Sequence, residues 1–196
     1  GNMQPITMIN DMAVLSLNIR GHGNSQDEIS SEDLEFVVMG VDKPRKYFYR
    51  GAFMDCLRGL DFLASQPEVD AQRIGVTGGS QGGMLSFATA ALDSRVVLCA
   101  PDIPFVIDSF RAFDTTEWPG SIFRYGFKAN LIKRSVASNV LRYFDPKNLA
   151  SRIKCPVFMG VGLQDPVTPA PTNFAAYNQI TASKEYRVHP FAGHGL

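Results

Sequence analysis

The segment Gly78-Gly79-Ser80-Gln81-Gly82-Gly83 is the part of the sequence best suited to covalent chemistry. It follows an apolar run at 74–77 and precedes a small-residue helical stretch at 82–92. In that setting Gly-x-Ser-x-Gly predicts a sharp strand-to-helix turn that lifts the Ser80 hydroxyl above a sheet. So tight a turn asks for small neighbours, here Gly78, Gly82 and Gly83. At the start of a helix, unpaired N–H groups such as that of Gln81 can hold a developing oxyanion. The plainer alternative is a glycine-rich turn that only packs strand against helix.

A serine hydroxyl is a weak nucleophile at neutral pH and needs a base, and the base needs an orienting acid. Behind such a turn the order along the chain is Ser, then Asp or Glu, then His. The sequence has three histidines. His22 precedes the serine, and His189 falls inside a strand pattern. His194 lies just beyond that pattern, in Phe191-Ala192-Gly193-His194-Gly195, and is the favoured base, with His189 as competitor. For the acid, Asp165 follows an apolar run in Gly162-Leu163-Gln164-Asp165-Pro166-Val167, at the strand end where open α/β sheets gather their sites. Asp102, which ends the preceding run, is the second candidate.

The elements that must position these groups can be read from periodicity. Apolar runs at 13–19, 74–77, 96–100, 157–161 and 185–189 lack strict alternation and predict parallel strands covered on both faces. Tyr49, Phe53, Cys56, Leu57, Leu60 and Leu63 recur at helical spacing, with Asp55, Arg58 and Asp61 opposite. Further helices are expected at 82–92 and 170–180. The alternation gives an α/β fold with a mostly parallel sheet and flanking helices. Residues 103–147 break the rhythm with Phe105, Phe110, Phe113, Trp118, Phe123, Tyr125 and Phe127, and read as a helical insertion over one end of the sheet. That insertion is either extra core or a lid or oligomer contact.

Composition sets the outer bounds. The chain has 196 residues, 45% hydrophobic and 19% charged, which fits one domain with a sizeable core. Lys+Arg and Asp+Glu both total 19, so no basic surplus points to nucleic acid or an anionic membrane. No apolar run reaches the ~18 residues of a membrane span. No signal peptide is visible, which favours a cytoplasmic setting, although a leader removed from before Gly1-Asn2-Met3 would leave the same sequence. Cys56, Cys99 and Cys155 lack metal-type spacing and read as buried free thiols.

Beyond the fold, the chain resembles the acetyl xylan esterase / cephalosporin C deacetylase family of α/β-hydrolase carbohydrate esterases. The resemblance is carried by Val14-Leu15-Ser16-Leu17-Asn18-Ile19-Arg20-Gly21-His22-Gly23, by Tyr47-Phe48-Tyr49-Arg50-Gly51, by residues 61–70, by Arg73-Ile74-Gly75-Val76-Thr77-Gly78-Gly79-Ser80-Gln81-Gly82-Gly83, and by Asp102-Ile103-Pro104-Phe105. It implies a serine esterase that removes acetyl groups from acetylated xylan, xylo-oligosaccharides or similar small esters. It supports Ser80 as nucleophile, Asp165 as orienting acid and His194 as base, with no metal or organic cofactor. It also implies a homo-oligomer, commonly a hexamer built from dimers. The sequence departs from the family at Arg20-Gly21-His22, where Arg-Gly-Gln is usual, and at His194-Gly195, where His-Glu is usual. Arg20 and His22 are therefore expected to brace the site rather than react.

The same resemblance implies a piece outside this sequence. A complete core of this kind has eight strands, and the run at 13–19 resembles the fourth. The third, which belongs between it and the strand at 74–77, finds no room in the first twelve residues. The loop after that third strand carries the second oxyanion donor. The expectation is thus a single, incomplete domain with an exposed edge or gap near 13–19 that further chain must cover. Two other readings remain: a different esterase or peptidase on the same scaffold, and a non-catalytic fragment.

Overall fold

The computed structural model describes residues 12–26 and 34–195. A 3-10 turn, Leu34–Val38, leads into helix α1, Phe48–Ala64. This helix buries Tyr49, Ala52, Phe53 and Leu60 and exposes Arg58 and Asp61, as the helical spacing requires. Strand β1, Ile74–Gly79, follows, then helix α2, Gln81–Leu92, and strand β2, Val96–Asp102. Helix α2 is apolar on nearly every side, so it must be enclosed, and Met84, Phe87 and Ala88 are at most 1% exposed. Complete burial of a side chain such as Phe87 stabilises the fold by about 1.5–3 kcal/mol.

The stretch after β2 folds into helices α3, Ser109–Thr115, α4, Gly120–Lys128, α5, Arg134–Leu141, and the short α6, Pro146–Leu149. Its aromatics serve mainly as core: Phe105, Phe113 and Phe123 are buried, Phe113 stacks on Phe123 and Phe105 on Trp118. Strand β3, Val157–Gly162, helix α7, Ala170–Tyr177, and strand β4, Lys184–His189, complete the chain. The four strands form one parallel sheet in the order β1-β2-β3-β4, so each strand lies beside its successor and a crossover joins every pair. No helix among the described residues is long and apolar enough to cross a membrane.

Two expectations need correction. The run at 13–19 forms no strand. It is apolar and extended enough to read as one, but a strand exists only through a ladder partner, and among the described residues β1 pairs on one side alone, with β2. Leu15 and Leu17 instead rest on α1, where a Cβ at Gly59 would lie 3.6 and 3.3 Å from their methyl groups, and they stay 37% and 41% exposed. Nor do the described residues cover the sheet on both faces. Cys99, Val157 and Met159 are buried, whereas Leu98 and Phe158, which alternate with them, are about half exposed.

Candidate functional site

Ser80 is the sole residue between β1 and α2. Its backbone takes φ 54° and ψ −116°, a strained conformation for a residue with a side chain. The local sequence makes the turn possible. A Cβ at Gly78 would come within 2.8–2.9 Å of the Gly82 backbone, and one at Gly83 within 2.7 Å of the Asp102 carbonyl oxygen. Gly82 differs from expectation, since a Cβ there would meet nothing within 4 Å. The tight approach is made by the backbone of Gly82, while the space is demanded at Gly78.

Three of the expected residues come together. His194 Nε2 lies 3.0 Å from Ser80 Oγ, and His194 Nδ1 lies 2.9 and 3.1 Å from the two carboxylate oxygens of Asp165. Asp165 stands in the loop leaving β3 and His194 in the loop leaving β4. The two loops are tied by Leu163 N–H donating to the His189 carbonyl and Gln164 N–H to the Ala192 carbonyl. A Cβ at Gly162 would meet the Ala192 and Gly193 carbonyl oxygens at 2.8 Å, so glycine there lets the loops close on each other.

Asp165 is 5% exposed and well supplied with donors. Oδ1 accepts from the N–H groups of Val167 and Thr168, both at 2.8 Å, and Oδ2 accepts from the Thr168 hydroxyl at 2.6 Å. Burial pushes its pKa up, but the donations from Thr168, His194 and Val167 outweigh burial and hold it below the ordinary carboxylate value. Asp165 is therefore ionised at neutral pH, and a carboxylate beside Nδ1 favours the tautomer that leaves Nε2 free to accept a proton from Ser80.

The other candidates fall elsewhere. Asp102 is exposed at the end of β2 and makes no hydrogen bond to His194; its carbonyl accepts the Ser80 N–H at 3.0 Å. Partial desolvation by the surrounding loops still raises the Asp102 carboxyl pKa, and the nearby His189 partly offsets this. His189 ends β4 outside the cluster. Gln81 opens α2, where helix geometry leaves the first N–H groups without an intrahelical partner. Arg20 grips Asp55 of α1 through Nε at 2.8 Å, a second guanidinium nitrogen at 2.7 Å and its own N–H at 3.0 Å. His22 Nδ1 lies 3.1 Å from the Arg20 carbonyl oxygen, and its ring stands edge-on to Phe36. These two hold the 20–25 turn against α1 and make no hydrogen bond to Ser80, Asp165 or His194.

Two contributors escaped the sequence reading. Thr168 supplies two of the donors to Asp165, and Asp-x-x-Thr after a strand is a pattern of local side-chain-to-backbone closure that could have flagged it. Tyr49 accepts a hydrogen bond from Gln81 Nε2 at 3.3 Å, but its place in the apolar stripe of α1 marks it only as core. Among the described residues no group of three His, Cys, Asp or Glu is placed to hold a metal ion. The three thiols are free, and burial raises their pKa values, that of Cys56 to about 11.

Known proteins place this arrangement in context. Residues 7–196 match the family model described as acetyl xylan esterase (AXE1). The chain is 34% identical over 159 residues to acetyl esterase Axe7A of Xylanibacter ruminicola, which covers 81% of this chain and 36% of that protein. Its structure matches an acetyl xylan esterase from Paenibacillus sp. R4 with a TM-score of 0.83 and 37% identity, over 91% of this chain and 60% of that one. It matches acetyl xylan esterase 1 from Thermoanaerobacterium sp. JW/SL YS485 with a TM-score of 0.82 and 36% identity, with the same coverage. The chain thus spans about a third of the curated relative and 60% of the two solved esterases.

Proposed function

The chain belongs to the acetyl xylan esterase family, an α/β-hydrolase group, and from that premise we propose that it carries the acyl-transfer centre of an acetyl esterase. The observation that carries the reading is the relay from Asp165 through His194 to Ser80, with hydrogen-bond distances of 2.9 and 3.0 Å at the foot of a helix.

In the proposed reaction His194 Nε2 takes the Ser80 proton as Oγ attacks the ester carbonyl. The tetrahedral oxyanion rests on Gln81 N–H, at the positive end of α2. Collapse breaks the bond to the alcohol oxygen, which leaves with the proton held by His194, and acetyl-Ser80 remains. Water then gives a proton to His194 and attacks the acetyl carbon. The bond from Ser80 Oγ to the acetyl carbon breaks as His194 returns its proton to Oγ, and acetic acid departs and loses its remaining acidic proton to solvent as acetate. Asp165 stays ionised throughout and stabilises the imidazolium that forms twice per turnover.

The substrate class proposed is a small acetylated carbohydrate, such as acetylated xylo-oligosaccharides. The names of the matched relatives support this, and it fits a site whose chemistry requires only an ester carbonyl and a departing sugar hydroxyl. Acetate release from acetylated xylo-oligosaccharides, compared with that from a long-chain p-nitrophenyl ester, tests the assignment. Faster turnover of the acetyl sugar is expected, and a preference for the long acyl chain would overturn it.

A further inference from the structure

The strained backbone of Ser80 is held on both sides by one loop. Its N–H donates to the Asp102 carbonyl at 3.0 Å, and its carbonyl accepts from Phe105 N–H at 2.9 Å. That loop is strained in turn: Ile103, Val106 and Asp108 have φ of 37°, 47° and 51°. Positive φ is costly for β-branched residues such as Ile103 and Val106, and such a shape persists only where its surroundings over-determine it. The near end of the loop is fixed to the sheet by Ile103 N–H donating to the Gly160 carbonyl at 2.9 Å.

The far end is fixed by one buried carboxylate. Asp145, 8% exposed, directs Oδ1 to Asp108 N–H at 3.1 Å, and Oδ2 to the N–H and hydroxyl of Ser109 at 2.7 and 2.8 Å. Only its fourth donor, Lys147 N–H at 3.0 Å, is the ordinary duty of a residue capping α6. Lys147 then closes the circuit, its Nζ lying 2.7 Å from Asp108 Oδ1. A cap needs one of these contacts, and the rest act on residues 108–109.

We infer that Asp145 is a positioning residue for the reaction, acting on Ser80 through the 102–109 loop that holds the elbow in its strained shape. The inference rests on Ser80 being the nucleophile. Loss of the clamp lets the loop relax toward ordinary φ values, and the Phe105 N–H and Asp102 carbonyl shift with it. Displacement of a reacting group by about 1 Å costs on the order of 10²-fold in rate.

The test uses Asp145→Asn, which keeps the side chain's size but turns an amide N–H₂ toward groups that are themselves donors. The readouts are the rate of Ser80 phosphonylation by a small fluorophosphonate, kcat and KM on p-nitrophenyl acetate, and thermal unfolding. The expected result is a loss of about 10–100-fold in phosphonylation rate and in kcat, with KM changed less than about threefold. Val140→Ala, a cavity in the core of α5, serves as a destabilised control and is expected to react at the wild-type rate. Ser109→Ala removes one contact to Asp145, decides the matter should Asp145→Asn not fold, and is expected to lose a smaller factor in kcat. Wild-type reactivity in a folded Asp145→Asn, or in Ser109→Ala if the former does not fold, overturns the inference alone. A wild-type chain that is not phosphonylated at Ser80 overturns the reading of Ser80 and the inference together.

Discussion

His194 Nε2 stands 3.0 Å from Ser80 Oγ across 114 residues of chain, and the other imidazole nitrogen is given wholly to Asp165. Each partner comes from the end of a different strand: Ser80 after β1, Asp165 after β3, His194 after β4. The parallel order of the sheet puts these ends on one edge, and the hydrogen bonds between the 162–164 and 189–193 segments set the last ångströms.

Asp165→Asn should lower kcat on p-nitrophenyl acetate by about 10⁴, because an amide at that position favours the wrong histidine tautomer. Asp102→Asn should change kcat by less than about threefold, since the Asp102 side chain does not reach His194 and its carbonyl, which holds Ser80, is untouched. Steady-state kinetics of the pair check the assignment, and the reverse ranking would transfer the role to Asp102.

Thr168→Val should reveal what holds Asp165 ionised. Burial raises the Asp165 pKa and the donors, led by Thr168, lower it further, so its folded value lies below the ordinary ~3.9. A carboxylate depressed in this way adds stability that is complete above its unfolded pKa and is lost as pH falls through the folded one. Loss of the 2.6 Å hydroxyl donor should cost about 1.5–3 kcal/mol at pH 7. It should also bring the Asp165 pKa up, so that the acid-side loss of stability begins at a higher pH than in the wild type. Urea unfolding from pH 3 to pH 7 measures both effects, and wild-type stability at pH 7 would contradict them.

The glycines of the elbow should separate by sterics. Gly78→Ala and Gly83→Ala each drive a Cβ into backbone that cannot swing aside, at 2.8 and 2.7 Å, and should destabilise by about 1–3 kcal/mol with a loss of kcat. Gly82→Ala meets open space and should unfold at the wild-type temperature or slightly above, because alanine is the better helix former by up to about 1 kcal/mol. Thermal unfolding of the three variants checks the order.

Much of this was legible because it is local. The elbow declares itself through glycines around one serine between a strand pattern and a helix pattern, and the order Ser80, Asp165, His194 needs only chain position. The helix at Phe48–Ala64 follows from the spacing of Tyr49, Phe53 and Leu60. What could not be read depends on partners distant in sequence. The run at 13–19 has a strand's composition, yet pairing is a property of two segments, and β1 has no second neighbour among the described residues. Leu98 and Phe158 look like core, and their exposure depends on what covers that face. Asp145 offers no motif, and its four donors become visible only once residues 108–109 and 147 meet around it.

If His194 and Asp165 activate Ser80 as a nucleophile, Ser80 must react selectively with an electrophilic phosphorus reagent. The most direct measurement is the intact mass of the chain after treatment with a small fluorophosphonate, followed by peptide mapping. One adduct per chain is expected, located on Ser80, absent from Ser80→Ala and slowed at least about 10³-fold in His194→Ala. An unmodified chain, or an adduct on another residue that persists in Ser80→Ala, would contradict it.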